Sequence, residues 1–298
     1  MADAFAYRPE ATRRAEALAA RLPALLVAAE RVAATVAQGV HGRRRSGRGD
    51  SFWQFRHFVT GDAPARIDWR RSARSGRPAA AGWFVRETEW EAAQTVCLWR
   101  DGSASMDWRS PRVSSTKRDR AELLLLALAA LLLRGGERAA LIAEPFRPMA
   151  GRAGLNALAA ILATEAVSGQ GLPPMVALPR HAKIVLISDF LTDITDVQAL
   201  ISRLAGLPAT GYLLQVLDPA ETLLPYEGRV RFTGLEREPA TLVPRVEAVR
   251  DAYAGRLAAM QDSLLALCRA AGFGFGVHRT DHPPETALLG LYTALSSR

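Results

Sequence analysis

Residues 94–106 read QTVCLWRDGSASM, and this stretch decides the fold. An apolar run with β-branched and aromatic residues, Thr95 to Trp99, gives way at Asp101 to small and hydroxyl-bearing residues. Such a run, bounded by Gly and Ser, predicts a buried strand that ends in a loop. Because open α/β sheets bind ligands at the carboxyl ends of their strands, this loop is where we expect a functional site.

The loop carries oxygen ligands in alternation: Asp101, Ser103 and Ser105. A loop coiled over the strand end can aim these three side chains at one point, and Mg²⁺ prefers such oxygen ligands. Asp189 follows a second predicted strand, Lys183 to Ile187, whose end can be a neighbour of the first in a doubly wound sheet. We therefore predict that these four residues hold Mg²⁺ or Mn²⁺, weakly. Two alternatives stay open: a plain Asp-Gly-Ser turn, and neutralisation of Asp101 by the adjacent Arg100.

The rest of the chain alternates helical and strand patterns, which predicts crossover units and a mostly parallel α/β sheet. The expected helices include 117–134, 155–164, 193–204 and 246–271, and the expected strands include 139–143, 211–217 and an edge strand at 273–278. We divide the chain into an N-terminal helical segment (1–40), a basic, aromatic-rich extension (41–92) and an α/β domain (93–298) with a small hairpin at about 221–244.

Two sets of motifs resemble known families. Asp-x-Ser-x-Ser-Met after a buried strand resembles the metal-ion-dependent adhesion site of von Willebrand factor A domains. The following motifs resemble the signature of the bacterial "domain of unknown function 58" family: Gly49-Asp50-Ser51-Phe52, Gly61-Asp62, Arg66-Ile67-Asp68-Trp69, Ser72-Ala73-Arg74 and Val85-Arg86-Glu87. The likeness is dense over residues 39–110 and thinner over 180–235, where it includes Leu217-Asp218-Pro219-Ala220-Glu221.

The resemblance implies a von Willebrand A-like doubly wound sheet, with Asp189 in the position of the third loop's aspartate. The threonine that such sites take from their second loop is missing, since none lies between Arg147 and Leu155 and Asn156 is the nearest polar residue. Related proteins often accompany MoxR-class AAA+ ATPases. The resemblance therefore implies a non-enzymatic adaptor that couples such an ATPase to a client in protein assembly or remodelling, with the Asp101 loop docking an acidic side chain through the metal.

The net charge of +8 lies mostly in the basic extension, where residues 39–80 hold 10 arginines and 3 aspartates. Lys117 and Lys183 are the only lysines of the whole chain. Arg66, Arg70 and Arg74 either form an ion-pair network with nearby aspartates or face outward as a partner-binding surface. Arginine offers a planar fork suited to carboxylates and phosphates.

Nucleic-acid binding is the alternative function. It would use the arginine-rich loop formed by Arg43, Arg44, Arg45 and Arg48, beside aromatic residues. No known nucleic-acid-binding module fits the chain, so we rank this function below protein interaction.

The sequence argues against an enzyme. There is no Gly-x-Ser-x-Gly frame around Ser103 or Ser105, no phosphate-binding or dinucleotide motif and no zinc cysteine pair. His278 and His282 precede a Pro-Pro pair, and we predict that both are exposed loop histidines. We expect a cytoplasmic protein, because Cys97 and Cys268 lie in separate apolar stretches and no signal peptide is visible. Association with a membrane surface is left open.

Overall fold

The computed structural model describes residues 24–37, 52–60, 62, 64, 67–76, 82–88, 94–164, 171–236 and 238–296. The chain divides into two compact units: unit 1 comprises Met1–His41 and Gln94–Arg298, and unit 2 comprises Gly42–Ala93. Within the described ranges, no helix is long and apolar enough to cross a membrane.

Unit 2 is built on a two-stranded antiparallel sheet and a short helix. The elements are β1 (Phe52–His57), α2 (Trp69–Ser72) and β2 (Phe84–Thr88). The Asp68 side chain caps α2 by accepting a hydrogen bond from the backbone N–H of Arg71 at 2.9 Å. Asp62 likewise accepts from the backbone N–H of Val59 at 2.9 Å. Both aspartates therefore shape the backbone of this unit.

Unit 1 is organised around a five-stranded sheet in which every pairing is parallel. Its strands are β3 (Thr95–Arg100), β4 (Arg138–Leu141), β5 (Lys183–Ser188), β6 (Thr210–Leu217) and β9 (Gly274–Arg279), in the spatial order β4-β3-β5-β6-β9. The last five residues of β3 and of β5 are buried, as the apolar run at residues 95–99 predicts. The predicted α/β fold with a mostly parallel sheet is confirmed.

Helices cover both faces of this sheet. They are α1 (residues 24–37), α3 (Lys117–Arg134), α4 (Gly151–Thr164), α5 (Ile194–Ala205), α6 (Pro219–Leu223), α7 (Arg250–Ala270) and α8 (Pro284–Ser296). The core on one face joins α1, α3, α4 and α8, and the core on the other joins α5 and α7. A short antiparallel hairpin, β7 (Val230–Phe232) with β8 (Thr241–Val243), lies between α6 and α7.

Helix α3 occupies the exact range that the sequence predicts, because its signals are strong. Thr116 and Asp119 form a capping box at its start, and leucine and alanine dominate its length. From Leu124 to Leu133 every side chain is buried. Because α3 packs over the sheet from its first residue, its N-terminus lies against the carboxyl ends of the strands, where the site is found.

Candidate functional site

The strand order places β3 between β4 and β5, so the strands that follow β3 in sequence are added first on one side of it and then on the other. Asp101 follows β3 and Asp189 follows β5, which are hydrogen-bonded neighbours. The backbone N–H of Asp101 continues the ladder by donating to the carbonyl of Ile187 at 2.8 Å. The two carboxylates therefore lie at the same edge of the sheet, at the switch point where the sequence predicts them.

The four predicted metal-site residues come together in one hydrogen-bonded network. The hydroxyl of Ser105 donates to Oδ2 of Asp189 at 2.8 Å, and its oxygen lies 3.0 Å from the hydroxyl oxygen of Ser103. Asp101 accepts from the backbone N–H of Ser103 at 2.7 Å through its Oδ1 atom. Its Oδ2 atom accepts from the hydroxyl of Ser188, also at 2.7 Å. The network is continuous from one strand end to the next.

The network is closed to solvent at Asp101, which is only 1% exposed. A Cβ atom added to Gly171 would lie 3.4 Å from Oδ2 of Asp101, so the backbone at Gly171 runs directly against the carboxylate. Burial raises the pKa of Asp101, while the hydrogen bonds from Ser188 and Ser103 oppose this shift. Glu236 adds a carboxylate on the outer side, where it accepts from the backbone N–H of Ser105 at 3.2 Å.

Lys117, the first residue of α3, supplies a positive charge to this site. Its Nζ atom lies 2.8 Å from Oδ2 of Asp189 and 2.5 Å from Oε1 of Glu221, and its side chain is fully buried. Burial disfavours the ammonium, but the charges of Asp189 and Glu221 outweigh that effect and raise the pKa of Lys117. The lysine is therefore charged at neutral pH.

Glu221 belongs to the same network through α6. Its Oε2 atom accepts from the backbone N–H of Asp218 at 2.8 Å, which completes a capping box at the start of this helix. Asp218 in turn accepts from the backbone N–H of Ser110 at 2.9 Å. Lys117 thus joins the end of β5, the start of α3 and helix α6 at one point.

A divalent cation at this position would compete with hydrogen bonds that the carboxylates already accept. Mg²⁺ requires several oxygen lone pairs at about 2.1 Å that point at one position. Here each oxygen of Asp101 and Asp189 accepts from the protein: Asp101 from Ser103 and Ser188, and Asp189 Oδ1 from the backbone N–H of Leu191 at 3.1 Å. Among the described residues, no group of three or more His, Cys, Asp or Glu side chains is arranged to hold a metal ion. Metal binding by these four residues stays a prediction, which these contacts do not favour.

Sequence reasoning missed Lys117 and Glu221. The signals were present, since Lys117 is one of two lysines in an arginine-rich chain and Asp218-Pro-Ala-Glu221 has the spacing of a capping box. Arg100, which sequence reasoning considered as the neutralising cation, pairs with Glu122 instead, with its Nε atom 3.1 Å from Oε1. Asn156, the polar residue nearest to the second loop, lies on α4 and is exposed.

The prediction of two exposed loop histidines is wrong for His278. This residue lies on β9 and is 4% exposed, because Arg120 of α3 packs across the end of the strand and donates to its Nε2 atom at 3.2 Å. Burial, together with the charge of Arg120, lowers the pKa of His278 to about 4. His282 is exposed, as predicted.

The arginines predicted to bind a partner lie in unit 2. Arg70 is on α2 and Arg74 follows it, and both are exposed. Neither pairs with a carboxylate of the residues that the structure describes, and binding of a partner by these two arginines stays a prediction. Arg66 falls outside the described residues, as do Arg43, Arg44, Arg45 and Arg48 of the proposed nucleic-acid contact.

Comparison with solved structures gives only distant likeness. A conserved hypothetical protein, BatB, from Bacteroides thetaiotaomicron is 14% identical, with a TM-score of 0.37, over 68% of this chain and 98% of that one. An aerotolerance-related membrane protein from Bacteroides fragilis, with multiple mutations to serine, is 14% identical with a TM-score of 0.35 over the same shares. No functionally curated protein matches the chain.

A family model settles membership. The model described as "Protein of unknown function DUF58" matches residues 54–263, which span both units and include the Asp101 loop, Lys117 and Glu221. This match covers well over half of the chain and agrees with the motifs at residues 49–87. The chain belongs to the DUF58 family.

Proposed function

We propose that this protein is a non-enzymatic interaction module, and that it binds an acidic surface of a protein partner through the Trp69 face. We define this face as Trp69, Arg70 and Arg74. The observation that carries the proposal is the exposure of Trp69, 56% of whose surface is open to solvent, with exposed arginines at positions 70 and 74. Tryptophan and arginine are the residues most enriched at the energetic centres of protein interfaces.

The Trp69 face is held in place by the packing of unit 2. The ring of Trp69 meets that of Trp83 edge-on, with centroids 5.5 Å apart. Arg71, on the same helix, lies over the ring of Phe55 with its guanidinium carbon 4.3 Å from the centroid. The hydroxyl of Ser72 donates to the carbonyl of Asp68 at 2.7 Å and accepts from the backbone N–H of Phe84 at 2.9 Å. A surface fixed in this way loses less conformational entropy on binding.

The chemistry of the face favours an acidic partner. Arg70 and Arg74 each present a fork that can bind a carboxylate in a bidentate manner. Their charge also raises the association rate with a negative surface. The partner class implied by the family resemblance is a MoxR-class AAA+ ATPase, for which this chain would act as an adaptor in protein assembly or remodelling. We also propose that the α/β sheet and helices of unit 1 have a von Willebrand A-like fold.

The test is binding to a MoxR-class ATPase of the same organism, measured by pull-down and calorimetry. The double variant Arg70→Glu/Arg74→Glu is expected to lose binding, because it reverses the charge of the face. The matched control is Arg147→Glu/Arg152→Glu, which changes two exposed arginines of unit 1 and is expected to bind like wild type. Equal binding by both double variants would contradict the proposal, as would equal loss.

A further inference from the structure

The site at the carboxyl edge of the sheet contains more negative than positive side chains. Asp101, Asp189 and Glu221 meet there with the Lys117 ammonium. Asp189 and Glu221 are bound to the ammonium directly, whereas the carboxylate of Asp101 is stabilised by neutral donors. Carboxylates buried together require a cation or strong donors, because like charges repel most strongly where water is excluded.

Lys117 supplies the required positive charge, and it does so beside the carboxylates that were predicted to bind a metal ion. It reaches Oδ2 of Asp189, which is also the acceptor for the hydroxyl of Ser105. Oδ2 of Asp189 therefore accepts hydrogen bonds both from Ser105, another predicted metal ligand, and from the lysine. A divalent cation brought to these oxygens would lie within a few ångströms of the ammonium, and the repulsion at that distance would oppose binding.

The choice of lysine also fits this role. The chain uses arginine at nearly every basic position and keeps lysine at two, of which Lys117 is fully buried among carboxylates. An ammonium is a compact charge with three donors, whereas the planar guanidinium needs more room and a fixed fork. A site shaped for a small cation accepts lysine where it would not accept arginine.

We propose that the Lys117 ammonium takes the place of the divalent cation at this site, so that the Asp101 loop is assembled without metal. The lysine offsets part of the negative charge of Asp189 and Glu221 by pairing with both, and through Asp189 it holds Ser105 and Ser103 in place. The capping box at Thr116 fixes the start of α3, and this fixes the position from which the Lys117 side chain reaches the carboxylates. This inference concerns the α/β unit alone and does not depend on the partner proposed for the Trp69 face.

The first test uses the full-length wild-type protein after chelation. Titration with Mn²⁺, followed by calorimetry and by the electron paramagnetic resonance of free Mn²⁺, is expected to show no saturable site. The thermal midpoint is expected to be the same in chelator and in millimolar Mg²⁺ or Mn²⁺. One Mn²⁺ bound per chain, abolished by Asp101→Ala in a protein that remains folded, would overturn the proposal.

The second test removes the lysine. Lys117→Ser clears the ammonium but leaves the carboxylates, so we expect a less stable protein whose thermal midpoint Mn²⁺ raises. The matched control is Lys183→Ser, which removes the other lysine, whose Nζ donates to the carbonyl of Leu295. It should gain nothing from Mn²⁺. A Lys117→Ser protein that is as stable as wild type and indifferent to Mn²⁺ would overturn the proposal. If this variant does not fold, the wild-type titration decides alone.

Discussion

The Asp101 loop and the Trp69 face are both rich in side chains able to bind ligands, but they differ in whether those side chains are engaged. At the loop, Asp101 and Lys117 are buried and each is paired within the protein. On the face, Trp69 is more than half exposed and Arg70 and Arg74 are open to solvent. A buried network that is satisfied internally stabilises the fold, whereas exposed aromatic and arginine side chains are available to a partner. This contrast supports the proposals that the Asp101 loop has a structural role and that the Trp69 face binds the partner.

The largest effect on the free energy of unfolding is expected when the Lys117 ammonium beside the Asp101 loop is removed. Lys117→Met keeps most of the side-chain volume but leaves Asp189 and Glu221 buried without the ammonium, so the free energy of unfolding should fall by about 3–5 kcal/mol. Denaturant titration measures this change. Lys183→Met, the matched control, removes a half-buried lysine and should lower the free energy of unfolding by about 1 kcal/mol. If the two variants lose the same free energy of unfolding, Lys117 has no special role in stabilising the site.

The next effect concerns the face. Trp69→Ala should weaken binding to the partner by about 2 kcal/mol, roughly 30-fold, because a central tryptophan supplies much of an interface's energy. Its effect on the free energy of unfolding should be about 1 kcal/mol, from the lost contact with Trp83. Calorimetry gives the first quantity and denaturant titration the second. Met175→Ala, which alters a residue of unit 1 that is 70% exposed, serves as the control and should leave binding unchanged. The account of the face fails if the two variants weaken binding equally.

A smaller effect is expected from single hydroxyl groups of the loop. Ser105→Ala removes a hydrogen bond to the charged carboxylate of Asp189 and should lower the free energy of unfolding by about 1.5 kcal/mol. Partner binding should not change, because the proposed binding surface is the Trp69 face. Ser263→Ala, in which the exposed hydroxyl bonds only to a helix carbonyl, should change stability by less than about 0.5 kcal/mol. Loss of partner binding in a stable Ser105→Ala protein would contradict this prediction and would indicate that the Asp101 loop binds the partner.

Much of the fold was predictable because its signals are local. The run at residues 95–99 gives a strand, and the capping residues and leucines at 116–134 give a helix with the predicted ends. The convergence of Asp101 with Asp189 was predictable as well, since the carboxyl ends of neighbouring parallel strands meet at one edge.

The residues missed are those whose roles depend on packing between distant segments. Lys117 meets Glu221 across 104 positions of sequence, and no periodicity of either segment encodes that contact. His278 was predicted to be an exposed loop residue, but it lies on β9, where Arg120 packs against it and it is buried. The local sequence predicts where a residue lies on a helix or strand, but it does not predict which side chain from a distant segment packs against that residue.

The measurement that tests the comparison most directly is the affinity of the MoxR-class ATPase for wild type and for Arg70→Glu/Arg74→Glu, each with magnesium and with chelator. The account predicts that wild type binds equally in both conditions and that the double variant binds in neither, while its thermal midpoint matches that of wild type. Binding that is lost on chelation and survives in the double variant would contradict the account, since it would make the Asp101 loop the metal-dependent binding site.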